Sequence, residues 1–551
     1  MKVALAQLNY TIGDFEGNYI KMKEVIEKAE LDKVDLVLFS ELSICGYSPL
    51  DLLYDANFVD KAIATVHRLA NHCKVTSALV GGPSIPSNAK GKQQLNSAWL
   101  LQNGEAKPVA HKTLLSSCGM MNEYRYFQPN TVFNVINFKG KRLAITIGED
   151  LWDDRVHNHL AQQNQMNYLS PIQKLAALKP HMIINLGAQT FAHDQIELQR
   201  EFLCKKAAQY KLPIYYINQT GANTQLIYGG GSMVVHPEGE IVCQLKHFEE
   251  EVRIVEPDLN SLEGNITPYN EMELIYKALV LGVKDYYKKT EFKKALIGLS
   301  GGLDSALVAA ITSAALGAEN VHGILMPSQY STDHSITDAV DLAENLGMSY
   351  ETISIKNIFS EFTDSLSNTF SQRKEDVTEE NIQARIRGTL LMAYSNKFGH
   401  MLLNTSNKSE LAVGYGTLYG DMNGGLSVIG DLYKTKAFGL ARYINRATVV
   451  IPENTITKPP SAELSPGQMD SDSLPEYELL DRILFSHIED NQSAEAIISN
   501  GAEASIVKRV LKMVNQNDFK RFQAPPILQI SSSSLGAGRQ IPLVSVKDNR
   551  V

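Results

Sequence analysis

Residues 294–306, Lys-Ala-Leu-Ile-Gly-Leu-Ser-Gly-Gly-Leu-Asp-Ser-Ala, constrain the fold more than any other part of the chain. The apolar run 295–299 has the length and composition of a buried strand in a parallel sheet. It breaks at Ser300-Gly301-Gly302 and restarts over 305–315 as an alanine-rich helix. A strand, a glycine turn and a helix start together predict an anion site. Glycines let the backbone come close, unpaired N–H groups point outward, and the helix dipole favours negative charge. The lysine of the G-x-x-x-x-G-K-[ST] phosphate loop is missing. Asp304 stands there instead, one residue before Ser305, and a carboxylate beside a phosphate cradle makes sense when it holds Mg²⁺. An ordinary turn with glycines for packing explains a bare Ser-Gly-Gly. It explains poorly the full Ser-Gly-Gly-x-Asp-Ser between strand and helix.

At 551 residues the chain is too long for one core, and two domains are expected. The first half alternates short apolar runs with helical patterns. Strands are predicted at 3–8, 34–39, 78–82, 98–101, 143–147, 182–186, 213–218 and 232–236, and a helix at 18–29. So many strands, some at hairpin spacing, predict a layered α/β sandwich. The pattern stops near Glu256-Pro257, and a turn-rich stretch through Pro268 leads into a helix over 270–288. We therefore expect domains at 1–260 and 261–551. The second predicts strands at 295–299, 321–326, 350–355 and 401–404 alternating with helices, which is parallel-sheet character. Residues 366–380, polar and without a clear period, read as a mobile loop of lid length.

The formal charge of −9 argues against binding nucleic acid through phosphate contacts. No apolar run approaches the ~20 residues of a membrane span. The first residues read as a strand and lack a signal-peptide pattern. Cys45, Cys73, Cys118, Cys204 and Cys243 form no C-x-x-C pair, so free thiols in a reducing, cytoplasmic setting are expected.

Downstream of the glycine turn come Glu380-Asn-Ile-Gln-Ala-Arg-Ile-Arg, Asn404-Thr-Ser-Asn-Lys-Ser-Glu, Tyr419-Gly-Asp, Gly430-Asp-Leu-Tyr-Lys-Thr, Ser461-Ala-Glu-Leu and Lys520-Arg-Phe-Gln-Ala-Pro-Pro. Each alone reads as a solvated loop or a cap; Glu410 alone reads as a helix-start carboxylate. Together with the 298–305 loop, which resembles the pyrophosphate loop of the ATP pyrophosphatases, they resemble the glutamine-dependent NAD⁺ synthetases over nearly the whole chain. The resemblance implies a nitrilase-like α-β-β-α sandwich followed by a Rossmann-like ATP-pyrophosphatase domain. It implies ATP-dependent amidation of deamido-NAD through an adenylated carboxylate, giving NAD⁺, AMP and pyrophosphate. Carried across by position, Gly298, Leu299, Ser300, Gly301, Gly302, Leu303, Asp304, Ser305, Thr405, Lys434 and Ser461 are expected to bind ATP. Asn381, Arg385, Glu410, Asp421 and Lys520 are expected to meet the dinucleotide, and Asp304 and Glu410 to hold Mg²⁺. The family also implies a homo-oligomer built on a synthetase-domain dimer. Two departures, Ser406 for glycine and Ser427-Val428 before Ile429, remove no expected ligand.

The first half resembles the nitrilase-type glutaminases, whose catalytic set is Glu, Lys and Cys. Glu41 and Lys112 match the general base and the oxyanion-stabilising lysine. The nucleophile position, after the strand 143–147, holds Gly148, which has no side chain for the thioester route. The pocket has changed with it. Cys118 stands at a tyrosine, Gln189 at a serine and Gln195 at a basic residue, while Glu123 is kept. Four changes together point to natural loss of glutamine hydrolysis and to free ammonia as nitrogen source. A single engineered cysteine replacement, or a non-catalytic nucleotide-binding scaffold, are the alternatives. Cys118 reads as a buried, inert thiol.

Overall fold

Strands covered on both faces read as unbroken apolar runs. Val3–Gln7, Ser77–Ser84 and Met182–Leu186 are covered in this way, with every residue buried and apolar runs at 3–6, 78–80 and 182–184. The structure, a computed structural model, describes residues 1–86, 94–117, 121–152, 169–256, 258–259, 268–371, 373–539 and 541–544. It divides into two units, Met1–Tyr269 and Asn270–Val551. Among the described residues no helix is long and apolar enough to cross a membrane.

The strands of the first unit are β1 (Val3–Gln7), β2 (Leu36–Leu38), β3 (Ser77–Ser84), β4 (Leu95–Gln102), β5 (Glu105–His111), β6 (Val135–Phe138), β7 (Lys141–Ile147), β8 (Met182–Leu186), β9 (Ile214–Ile217), β10 (Thr220–Asn223), β11 (Leu226–Gly229), β12 (Met233–Val235), β13 (Ile241–Gln244) and β14 (Glu251–Val255). One sheet runs β14-β1-β2-β3-β4-β5, the other β13-β12-β9-β8-β7-β6, and β10 pairs with β11. Between the sheets, Leu5, Leu38 and Leu79 meet Leu143, Ile145, Ile184 and Ile217. On the outer face of the first sheet, Ala4, Val37 and Val80 pack with Met22 and Ile26 of α1 (Phe15–Leu31) and Ala62 and Val66 of α2 (Ala56–Ala70). On the outer face of the second, Ala144, Ile183 and Tyr216 pack with Leu175 of α3 (Pro171–Ala177) and Leu203 and Ala207 of α4 (Ile196–Tyr210). This is the expected α-β-β-α sandwich.

The second unit opens with α5 (Glu271–Thr290), whose N-terminus is capped by the Asn270 side chain accepting from the Met272 amide at 2.8 Å. Its strands are β15 (Ala295–Leu299), β16 (Val321–Leu325), β17 (Ser349–Thr352), β18 (Met401–Asn404) and β19 (Leu426–Ser427), in the order β17-β16-β15-β18-β19. All neighbours are parallel. The helices used below are α6 (Leu303–Leu316), α7 (Asp333–Leu346), α8 (Lys356–Phe370), α9 (Val377–Phe398), α10 (Lys408–Val413) and α11 (Lys434–Ile444). The chain leaves β15 to one side through β16 and β17, then returns to the other side at β18. Open α/β sheets bind ligands at such a reversal, outside the strand C-termini.

The predicted loop at 366–380 is overturned. Leu366 to Phe370 end α8, Val377 opens α9, and only 371–376 connect them. These turns show mostly polar residues to solvent, which hid the helical period. The start of α9 was marked nonetheless: Asp376 and Glu379 form a capping box.

A buried ionic knot ties the C-terminal segment to this unit. Lys408 Nζ lies 2.8 Å from Asp431 Oδ1, pairs with Glu489, and donates to Ser531 Oγ at 2.8 Å and Ser533 O at 2.9 Å. Asp431 Oδ2 accepts the amides of Ile530 and Ser531, both at 2.8 Å. Removing the cation would leave two carboxylates uncompensated in the interior, a loss of about 3–5 kcal/mol. Lys408→Met is therefore expected to lower the unfolding free energy by that amount in urea titration. A change below about 1 kcal/mol would mean the knot contributes nothing net.

Candidate active site

Gly302 is the N-cap of α6 with extended backbone and no side-chain cap, so the first amides of the helix face outward. Gly301 is required twice over. Its φ is +75°, and a Cβ there would lie 2.1 Å from the Ser335 carbonyl oxygen. The turn also holds itself together: the Gly302 amide donates to Ser300 Oγ at 3.1 Å, and Ser305 Oγ donates to the Gly302 carbonyl at 3.1 Å.

The turn forms one wall of a cavity of about 500 Å³. Gly298, Leu299, Ser300, Gly302, Leu303, Asp304, Ser305, Thr405, Glu410, Asp421, Lys434 and Ser461 line it. On its wall Lys434 Nζ is in contact with Asp304 Oδ2 and 4.0 Å from Glu410 Oε1. Burial alone would lower the Lys434 ammonium, but Asp304 and Glu410 more than offset this and hold it above the usual lysine range. Burial raises Glu410 well above the usual carboxylate range, and the charge of Asp304 adds to it. Two acids and one base are packed more tightly than one lysine neutralises.

Asn407 joins this cluster to the turn. Its Nδ2 donates to Asp304 Oδ1 at 3.2 Å, its Oδ1 accepts the Glu410 amide at 2.9 Å, and its own amide donates to Glu410 Oε2 at 3.3 Å. Asn407-Lys-Ser-Glu410 is thus a capping box, so the bland reading of Glu410 holds together with its place on the cavity wall. Asp470 adds a third carboxylate, accepting from Tyr477 Oη at 2.8 Å and Tyr415 Oη at 3.4 Å. No motif marked Asp470: Tyr477 follows seven residues later in the same segment, and Tyr415 comes from a distant one.

Asn381, Arg385 and Lys520 lie outside that wall. They gather instead on the segment 414–421. Asn381 Oδ1 accepts from Thr417 Oγ1 at 2.6 Å, Arg385 Nε donates to Leu418 O at 3.2 Å, and Lys520 Nζ donates to Gly414 O at 2.8 Å and Gly416 O at 2.7 Å. Asp421 accepts the Thr417 amide at 2.6 Å and reaches the cavity, so it links the two groups. Exposed Ser461 spends its hydroxyl on Gln468 O, closing a turn over the cavity edge.

In the first unit Glu41 and Lys112 do meet, and both are sealed from solvent. Lys112 Nζ lies 2.8 Å from Glu41 Oε1 and 2.7 Å from Glu123 Oε2. Asn96, which carried no sequence signal, donates to Glu41 Oε1 at 2.7 Å. Gly148 closes the group with φ +49°, and a Cβ on it would sit 2.5 Å from Glu41 Oε2 and 2.8 Å from Lys112 Nζ. Gln189 exchanges hydrogen bonds with Asn218, and Gln195 donates to Asp194 Oδ2 at 3.2 Å. Cys118 lies outside the described residues.

Burial pushes the Glu41 carboxyl up to about 8; Lys112 opposes this and Glu123 reinforces it. Folded Glu41 then keeps a proton that the unfolded chain releases from about pH 4.5 upward. Its contribution to stability is full below that pH and lost as pH rises to about 8. Glu41→Gln removes this slope. Wild type is expected to lose stability relative to Glu41→Gln across pH 5–8, by up to about 1.4 kcal/mol per pH unit, in chemical unfolding of the first unit. Parallel stability curves for the two proteins would show Glu41 to be ionised in the fold.

Comparison with known proteins agrees with this geometry. The NAD synthase family model matches residues 275–524, and the carbon-nitrogen hydrolase model matches residues 2–265. The chain is 42% identical to the glutamine-dependent NAD(+) synthetase of Synechocystis sp., covering 98% of both chains. It is 38% identical to that of Thermotoga maritima, over 99% of this chain and 98% of the relative. Among solved structures, the glutamine-dependent NAD⁺ synthetase of Acinetobacter baumannii in complex with adenosine diphosphate is similar at TM-score 0.78 and 34% identity, covering 98% of each chain. Matches of this length and identity span both units, and the chain belongs to the glutamine-dependent NAD⁺ synthetase family.

Proposed function

We propose that this ligase makes NAD⁺ by amidating deamido-NAD with free ammonia. ATP first adenylates the nicotinate carboxylate: a carboxylate oxygen bonds to the α-phosphorus and pyrophosphate leaves. Ammonia then attacks the acyl carbon and AMP departs. No protein nucleophile is needed in the second unit. The step concentrates charge on phosphate, and the outward amides of α6 and the Lys434 ammonium are groups that stabilise such charge.

The carboxylates fit Mg²⁺. Asp304 and Glu410 border the phosphate turn, and Mg²⁺ takes one or two carboxylates with the rest of its shell from phosphate and water. Fully ionised, as metal binding would require, the pair would carry one charge more than Lys434 offsets. When bound, the ion neutralises phosphate charge. Asp304→Asn is expected to cut turnover at least about a hundredfold at every ammonium concentration. Near-normal turnover in steady-state assays would remove the metal assignment.

One observation carries ammonia over glutamine: Gly148 sits against Glu41 and Lys112 with no nucleophile, and their heads fill the space a side chain would enter. NAD⁺ formation is therefore expected with ammonium and not with glutamine. The relatives are named as glutamine-dependent, so the test is direct. Gly148→Cys alone is expected to fail as well. Its Cβ would have to displace two buried, hydrogen-bonded heads at a positive φ. Two or three substrate contacts at about 1–3 kcal/mol each would still be missing. Efficient glutamine-dependent synthesis by that single variant would sink the reading.

A further inference from the structure

The cavity of the second unit holds a cation that the reading above leaves unused. Arg387 lies on α9, and its side chain reaches the cavity wall. Its Nε donates to the Met326 carbonyl at 3.1 Å, just past the C-terminus of β16. Its terminal nitrogens donate to no described residue, and no carboxylate lies within ion-pair distance among the described residues. The two lysines of this wall are paired: Lys434 with Asp304, and Lys458 with Asp338 at 2.9 Å. Arg387 is thus the one arginine or lysine of the wall without a described ion pair.

The position is fixed by backbone packing. A Cβ on Gly388 would lie 2.8 Å from the Tyr419 carbonyl oxygen, and one on Gly420 would lie 2.9 Å from the Ala384 backbone, so α9 sits hard against the 419–423 turn. The carboxylates that bear on Arg387 are Glu463 and Asp421. Both are engaged elsewhere. Glu463 accepts from Thr332 Oγ1 and Ser335 Oγ, each at 2.7 Å, and Asp421 accepts the Thr417 amide. Burial pulls the guanidinium down to about 10, against these two charges, so it stays protonated at neutral pH. A half-buried, protonated fork with spare donors suits a planar or tetrahedral oxyanion. Its neighbours come from both expected substrate sides: Ser461-Ala-Glu463 belongs to the ATP side, Asp421 to the dinucleotide side.

We propose that Arg387 is a further catalytic residue, donating its terminal N–H groups to the oxygens where the substrate carboxylate joins the ATP α-phosphate. This rests on the adenylation reading. In that step a carboxylate must approach a triphosphate, and a cation at the junction reduces the repulsion. The O–P bond forms, the bond to pyrophosphate breaks, and the guanidinium keeps its proton throughout.

The experiment is exchange of labelled pyrophosphate into ATP by the full chain, with deamido-NAD present and ammonia absent. Absence of dinucleotide-dependent exchange in the wild type would defeat the synthetase reading itself, before Arg387 is touched. With that exchange in hand, Arg387→Ala is expected to lower its saturating rate by about 10²–10³-fold. ATP affinity, measured by calorimetry without deamido-NAD, should change less than about fivefold. Guanidinium ion at tens of millimolar should restore part of the lost rate, which a packing defect would not allow. Should truncation unfold the protein, Arg387→Lys keeps charge and stem, and a loss of at least about tenfold with unchanged ATP affinity is expected. A saturating rate within about threefold of wild type in either variant overturns the proposal. So does a loss confined to ATP affinity, and so does a folded Arg387→Ala protein that guanidinium leaves unrescued.

Discussion

One arrangement recurs at three places in this chain: a buried lysine shared by two carboxylates. Lys112 lies between Glu41 and Glu123, Lys408 between Asp431 and Glu489, and Lys434 between Asp304 and Glu410. Each trio, fully ionised, carries one negative charge that the interior does not solvate, so each needs relief. At Lys408 the relief is structural: Asp431 accepts two backbone amides and the Ser531 hydroxyl. At Lys112 it is a proton, because burial pushes Glu41 up to about 8. At Lys434 burial also raises Glu410, but the acids keep some exposure to the cavity, and no comparable set of backbone donors serves Asp304 among the described residues. That trio is the one left open to a ligand's charge.

Much of the framework was readable from local sequence. β15, β18 and β8 have the predicted bounds because each is an apolar run ending at polar or glycine residues, and such runs are covered on both faces whatever surrounds them. Edge strands were not readable. Glu105-Ala-Lys-Pro-Val-Ala-His and Glu251-Val-Arg-Ile-Val are half-exposed, with charges between their apolar residues, and only pairing with a neighbour makes them strands. The polar turns of α8 and α9 failed for the related reason that a solvent-facing helix turn resembles a loop in composition.

The cavity divides along the same line. The glycine turn and the Asn407–Glu410 capping box are continuous stretches whose geometry follows from their own residues. Asp470, Asn96 and the free fork of Arg387 are products of tertiary contact: their positions relative to Tyr415, Glu41 and Met326 are set by segments far along the chain. Arg385 and Arg387 make the point sharply. Two residues apart on one helix, they point to different surroundings, Arg385 to the 414–421 segment and Arg387 to the cavity. Spacing alone identifies a cationic helix and leaves undecided which arginine lines the cavity.

The contrast between Gly148 and its neighbours follows from what each removal would strand. Deleting Glu41 takes from Asn96 its 2.7 Å acceptor and from Lys112 one of two carboxylates, and deleting Lys112 leaves two acids. Either costs the desolvation of groups that water no longer reaches. Residue 148 carries no such obligation. Its carbonyl accepts from Asn185 Nδ2 at 3.2 Å, and the following turn is held by Asp150, which accepts the amides of Thr113 and Leu114 at 2.9 and 2.7 Å. All of these contacts are independent of the side chain at 148. A thiol there can therefore be lost without opening the sandwich, whereas Glu41 and Lys112 are needed by the fold itself. Their presence is accounted for by burial and says nothing, by itself, for hydrolysis of glutamine.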